Sequence, residues 1–217
     1  LERLNEMLLQ LFNERLISKH QSQPVVINEY FVAVNGYLEA RSETVFEQQP
    51  LLLLKLFLTL QQNPSLKGIR ATTIRLIRKS LPLIDDTFRY SKEANRLFME
   101  ILRQPVGVTH LLRRMNRYGL LAAYLPPFAN IVARMQYDLF HVYTVDEHTL
   151  FVIGNLRQFS LEKFRHQLPF CHDVYALISK PEVLYVAALF HDTGFTVQYM
   201  DNEKIGAGIA RKYLEKI

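Results

Sequence analysis

Two histidines and an aspartate stand where they can share one cation. His148 follows Tyr143-Thr144-Val145-Asp146-Glu147 at the start of one apolar helix, and His191-Asp192 closes another, Ala188-Leu189-Phe190, a little over forty residues later. Neutral imidazole and carboxylate are good ligands for Mn, Fe, Co, Zn or Mg, and an adjacent His-Asp pair lets one helix end offer two donors. A cation held this way polarises a phosphoryl oxygen and acidifies a bound water, which suits phosphoester hydrolysis. By itself a His-Asp dipeptide is explained as well by a hydrogen-bonded histidine at a helix end; His148 is what raises the metal reading above that. The single Cys171 excludes an internal disulfide and any Cys-rich zinc module, so ligands must be His and carboxylate.

The remaining histidines take plainer readings. His20, His166 and His172 fall in polar loops, His110 lies in a basic helical region, and packing against Phe140 accounts for His141. Asp138, Asp146 and Glu147 are candidates to orient ligands rather than to bind, and Glu147 is already explained as a cap. Neither a Walker-type phosphate loop nor a dinucleotide fingerprint is present.

The elements that must position these groups are helical. Thr144 with Glu147 three residues on reads as a capping box, which places His148 in the first turn of a helix running to about Phe159. Ser179 and Glu182, with Pro181 between, start a second helix. Its Leu184, Ala187, Ala188 and His191 share one face, and Gly194 ends it. A last segment, capped by Asp201 or Asn202, carries Ile205, Ile209, Tyr213 and Ile217 at helical spacing without a terminator, and its domain is expected to continue.

Upstream, periodicity predicts a helix over Leu1–Ile17, a loop over Ser18–Pro24, then β-rich runs from Val25 to Phe46 around an Asn35-Gly36 hairpin turn. That hairpin is the only β-structure expected. A helix apolar nearly all round follows over Leu51–Leu60, ended by Asn63-Pro64. Further helices are predicted over Thr72–Leu81, Lys92–Gln104 opened by Ser91, Val106–Tyr118, Leu120–Tyr124 and Phe128–Phe140. The class is mainly α, a bundle of short helices with a small β-hairpin near the N-terminus.

Composition narrows the function classes. With 49% hydrophobic residues in 217, the chain can bury a real core. Apolar runs such as Leu51–Leu54 are far too short to cross a bilayer, and no signal-peptide pattern opens the chain, so a cytoplasmic protein without membrane contact is expected. The net charge of +5 conceals a band over residues 61–120 with twelve lysines or arginines against four acids. Such a band suits a nucleotide or an acidic partner, or is simply a solvated surface. No aromatic residues interleave these arginines in the manner that stacks bases, which argues against nucleic acid.

The run Arg134-Met135-Gln136-Tyr137-Asp138-Leu139-Phe140-His141-Val142-Tyr143-Thr144-Val145-Asp146-Glu147-His148-Thr149 resembles the start of the HD domain in the bifunctional PII uridylyltransferase/uridylyl-removing enzymes, bacterial nitrogen sensors. The resemblance extends upstream through Leu4–Phe12, the Val34–Phe46 hairpin, Gly119-Leu120-Leu121 and Tyr124-Leu125-Pro126. In that family a nucleotidyltransferase domain attaches UMP to the PII signalling protein, a central HD domain removes it by metal-dependent hydrolysis, and C-terminal ACT domains sense glutamine. The resemblance implies that residues 1–48 are the tail of the transferase domain, 49–140 a helical linker region, and 141–217 the start of an incomplete HD metal-dependent phosphohydrolase domain. It implies a divalent metal, Mg or Mn, on His148, His191 and Asp192, and PII as partner.

After Asp192 the family pattern gives way: Thr193-Gly194-Phe195 replaces its apolar-Ala-Lys-Gly run, and Asn202 stands where its next ligand histidine would fall. From there the tail resembles other HD-domain phosphohydrolases. Two further readings therefore stand beside the first: an HD phosphohydrolase acting on a free nucleotide, and a non-catalytic helical module that docks PII. With the family's transferase carboxylates upstream of residue 1 and its last ligand beyond 217, the chain is expected not to uridylylate PII and to bind metal weakly.

Overall fold

The computed structural model describes residue 12 and residues 23–135, 143–196 and 202–215. The helix expected over Leu1–Ile17 lies outside them apart from Phe12. The described chain forms two compact units, one of residues up to Ile101 with Met115–Leu120, the other of Leu102–Arg114 with the residues from Leu121 on.

The first unit grows from the hairpin. Asn35 and Gly36 both take positive φ, 54° and 81°, the two-residue turn whose twist matches paired strands. It joins β2 (Phe31–Val34) to β3 (Tyr37–Ala40), paired from Val34↔Tyr37 to Phe31↔Ala40. β1 (Val25–Val26) adds to β2 antiparallel. Val45-Phe46, expected within the β-rich run, instead opens a short helix α1 (Val45–Gln48) that buries both side chains.

α2 (Leu52–Gln62) buries every residue but Lys55 and Gln62 and ends at Asn63, as its apolar run implied. The two-residue β4 (Gly68–Ile69) then pairs parallel with β3, making a sheet of order β1-β2-β3-β4. A run that short has no period to read, so only pairing reveals it. α3 (Ala71–Ser80) buries Ala71, Thr73, Ile74 and Ile77 and turns Arg75, Arg78 and Lys79 to solvent. α4 (Asp86–Arg89) is capped by the Asp85 carboxylate, which accepts the Phe88 N–H at 2.8 Å. α5 (Lys92–Arg103) opens at Ser91, whose hydroxyl accepts the Ala94 N–H at 3.1 Å. Much of the basic band meets acids close by: Arg70 with Glu39, Lys79 with Glu47, Arg89 with Asp86, and Arg96 with both Glu93 and Glu100.

α6 (Val108–Tyr118) and α7 (Leu120–Tyr124) follow as the spacing predicts, separated by Gly119 at φ 88°. The helix expected over Phe128–Phe140 does not continue. Pro126 starts a four-residue α8 (Pro126–Ala129), Ala133 turns into the left-handed region at φ 58°, and Met135 forms an antiparallel bridge with Thr144. Residues 136–142, with Asp138 and His141, lie outside the described residues.

The rest of the second unit comprises α9 (Val145–Phe159), α10 (Pro169–Ala176), α11 (Pro181–Phe190) and α12 (Asn202–Leu214). α11 packs against both α9 and α12, with Leu150, Ile153, Tyr185, Val186, Leu189 and Phe190 in the core. The fold is mainly α with one small sheet. No helix among the described residues is long and apolar enough to cross a membrane.

Candidate metal centre

α9 starts where the sequence places it, but not by the expected cap. Thr144 is the extended residue before the helix, yet its side chain caps nothing, and Glu147 lies 3.9 Å from Arg113. Tertiary contacts hold this end. The Val145 N–H donates to the Arg134 carbonyl at 2.9 Å, and the buried Asp146 carboxylate accepts the Ala133 N–H at 3.0 Å. With Glu147 drawn toward Arg113, the reciprocal half of the capping box is lost. His148 sits in the first turn regardless, its N–H on the Thr144 carbonyl at 2.8 Å.

α11 corrects the reading in the same way. Its residue before the helix is Lys180 rather than Ser179, Pro181 occupies the first turn, and Glu182 is buried against Arg103, Nε to Oε1 2.9 Å. Burial alone would raise the Glu182 carboxyl, but the hydrogen bond and charge of Arg103 outweigh it and hold the group below its ordinary value. The core face runs through Tyr185, Val186 and Leu189, whereas Leu184 is half-buried and Ala187 exposed. Of the face expected to be inward, Ala188 is buried, while Leu184, Ala187 and His191 are more open. That leaves His191 half-exposed at the helix end.

Thr193 and α12 secure this end. The Thr193 hydroxyl donates to the Phe190 carbonyl at 2.7 Å. On α12, Tyr213 packs on Phe190 with ring centroids 5.5 Å apart and brings its hydroxyl within 3.3 Å of that of Tyr124. Burial pushes the Tyr124 phenol up to about 12.

His148, His191 and Asp192 converge. Their ligand atoms all lie within 4.8 Å of one another. Asp192 Oδ2 is 3.0 Å from His191 Nε2 and 3.8 Å from His148 Nε2, and the two imidazole centroids are 5.8 Å apart. A cation about 2.0–2.2 Å from each donor separates its ligand atoms by roughly 3.0–3.6 Å, so little movement would seat one. His191 Nδ1 lies 2.7 Å from the Ala188 carbonyl, which can only accept. Nδ1 must therefore carry a proton, so in the neutral ring it is Nε2 that presents a lone pair on the side of the carboxylate. This contact at 3.0 Å calls for something positive between Nε2 and the carboxylate, a proton on the ring or a bound cation, and two imidazoles with a carboxylate form a donor set that fits a cation. The three side chains are 30–38% exposed, which leaves room for further ligands. Among the other histidines, His172 is held by the Phe159 carbonyl at 2.8 Å and lies 3.4 Å from Glu162, well accounted for without a metal.

Residues 31–124 match the family described as the uridylyltransferase GlnD third domain. The chain is 57% identical over 216 residues to the bifunctional uridylyltransferase/uridylyl-removing enzyme of Methylococcus capsulatus, covering 99% of this chain and 24% of that protein. The chain belongs to the bifunctional uridylyltransferase/uridylyl-removing enzyme family. Relatives of the same name from Nitrosococcus oceani and Pseudomonas fluorescens are 54% and 40% identical over 214 residues, covering 97% and 98% of this chain and 24% of each relative. The chain thus spans about a quarter of the length of these relatives. The alignment with the Methylococcus capsulatus bifunctional enzyme runs on past Asp192, where the sequence pattern alone ended the resemblance. A changed ligand-type residue such as Asn202 does not disturb a helix whose apolar spacing persists.

Proposed function

We propose that the chain contributes the uridylyl-removing site of its family, an HD-type region in which His148, His191 and Asp192 hold a divalent cation, Mg or Mn, for hydrolysis of the uridylyl-tyrosine phosphodiester on the PII signalling protein. The observation that carries this reading is the convergence of the three donors from two helices within 4.8 Å. A divalent cation bound there supplies stabilisation of phosphoryl charge and a more acidic water. The Ala188 carbonyl keeps His191 Nε2 turned toward the shared point, and Asp192 contributes the anionic donor. In this reading residues 1–48 close a nucleotidyltransferase domain, 49–140 are a helical linker and 141–217 begin the HD domain, all acting in cytoplasmic nitrogen regulation with glutamine sensed elsewhere in the protein.

Calorimetric titration of the full chain with Mn, run beside release of UMP from uridylylated PII, tests the reading. One equivalent of Mn should bind, His148→Ala and Asp192→Ala should each weaken it by about tenfold or more, and slow Mn-dependent release should vanish in both. Binding and release indifferent to the two substitutions would overturn it.

A further inference from the structure

Beside the metal-binding triad, a cleft of about 400 Å³ runs along α9, lined among others by His110 and Arg113 of α6 and by Phe151, Gly154, Asn155 and Gln158 of α9. We propose that it seats the nucleobase of a uridine 5′-phosphoryl group whose phosphate sits at His148, His191 and Asp192, with Phe151 as the stacking face and Asn155 as the group that reads the base edge. The proposal rests on the phosphoryl-site reading above and deepens it.

Phe151 lies one helical turn from His148, and Asn155 two turns on, about 10 Å along the axis and on nearly the same face. That is the span a nucleoside 5′-phosphate bridges from phosphate to base. Arg113, also in the cleft, lies 3.9 Å from Glu147, the residue before His148, so its guanidinium lines the cleft at the end of α9 that carries His148 and is of the type that meets a phosphoryl oxygen.

Phe151 is 47% exposed and stacks on the still more open Tyr143, centroids 6.2 Å apart and planes 14° from parallel. Exposed aromatic rings of this kind stack on bases. Among the described residues, neither Asn155 nor Gln158 makes a side-chain hydrogen bond within the protein, and a carboxamide offers the adjacent donor and acceptor that match the O4 and N3–H edge of uracil. Arg157, by contrast, is spent on the wall, donating to the Pro105 carbonyl and lying over the Tyr185 ring.

Binding to the full chain in the presence of Mn, compared for UMP, ribose 5-phosphate and a peptide carrying uridylylated tyrosine, tests this without turnover. UMP should bind about tenfold more tightly than ribose 5-phosphate, from base stacking. Phe151→Ala and Asn155→Ala should bring that ratio close to one while leaving Mn and ribose 5-phosphate affinities unchanged. Gly154→Leu, which puts a side chain into the cleft, should do the same. Equal affinity of the wild-type chain for UMP and ribose 5-phosphate, or a ratio untouched by all three variants, would overturn the proposal. If the UMP preference persists with no Mn bound, the cleft stands and the metal reading fails. Tighter binding of the peptide than of UMP assigns the cleft to protein-linked nucleotide, and equal binding to free mononucleotide.

Discussion

Gly206 lies so close to Phe190 that a Cβ on the glycine would come within 2.3 Å of the Phe190 carbonyl oxygen and 2.7 Å of that of His191. α12 therefore crosses the end of α11 backbone against backbone, directly behind two of the three metal-binding candidates. Gly206→Ala should force the helices apart, lowering stability by about 1–3 kcal/mol and weakening Mn binding. At Gly208 nothing lies within 4 Å, so Gly208→Ala should gain up to about 1 kcal/mol of helix propensity. Thermal unfolding of both variants checks the opposite signs; equal shifts would contradict the close approach.

The Asp146 carboxylate and Ala133 form a second support, since the Ala133 N–H is held at φ 58°, a left-handed conformation that costs a residue with a Cβ about 1–2 kcal/mol. Ala133→Gly should relieve part of that cost and raise the unfolding midpoint. Asp146→Ala removes the acceptor of this part-buried bond and should destabilise by about 0.5–1.5 kcal/mol. Chemical denaturation measures both, and a destabilised Ala133→Gly chain would count against this account.

Arg103 and Glu182 link stability to pH. The folded carboxyl lies below its ordinary value, so the pair's contribution is full above the unfolded pKa and is lost as pH falls through the folded one. In Arg103→Met, Glu182 stays in its buried position without its partner, and desolvation raises its pKa. The variant should then lose about 1–2 kcal/mol at pH 7 and progressively less as pH falls through its own raised carboxyl pKa and then through the lowered one of the parent chain. Denaturation midpoints from pH 3 to 8 would show the two curves converging on the acid side; parallel curves would exclude the pairing.

Asn202 begins α12, the helix that Gly206 seats against the end of α11. An amide is a poorer ligand for a transition metal than an imidazole. Asn202→His should tighten Mn binding by about tenfold and raise UMP release only in part. Unchanged affinity in calorimetry would remove position 202 from the metal centre.

The features legible along the chain are local ones. The hairpin follows from Asn35-Gly36 between β-rich runs, α2 from its unbroken apolar stretch, and the positions of His148 and His191-Asp192 at a helix start and a helix end from spacing and flanking residues, all properties of a few neighbours along the chain. Tertiary structure decided what depends on distant partners. Glu147 leaves the expected cap for Arg113, the Asp146 carboxylate is taken up by the Ala133 N–H, Val45-Phe46 turn helical because both side chains find the core, and β4 exists only through its pairing with β3. The open side of α11 was equally hidden, because the face a helix buries is set by the surfaces of α9 and α12 rather than by its own period. Convergence of His148 with Asp192 belongs to this second kind, since 43 intervening positions carry no distance, and only the packing of α9 on α11 brings Nε2 to 3.8 Å from Oδ2.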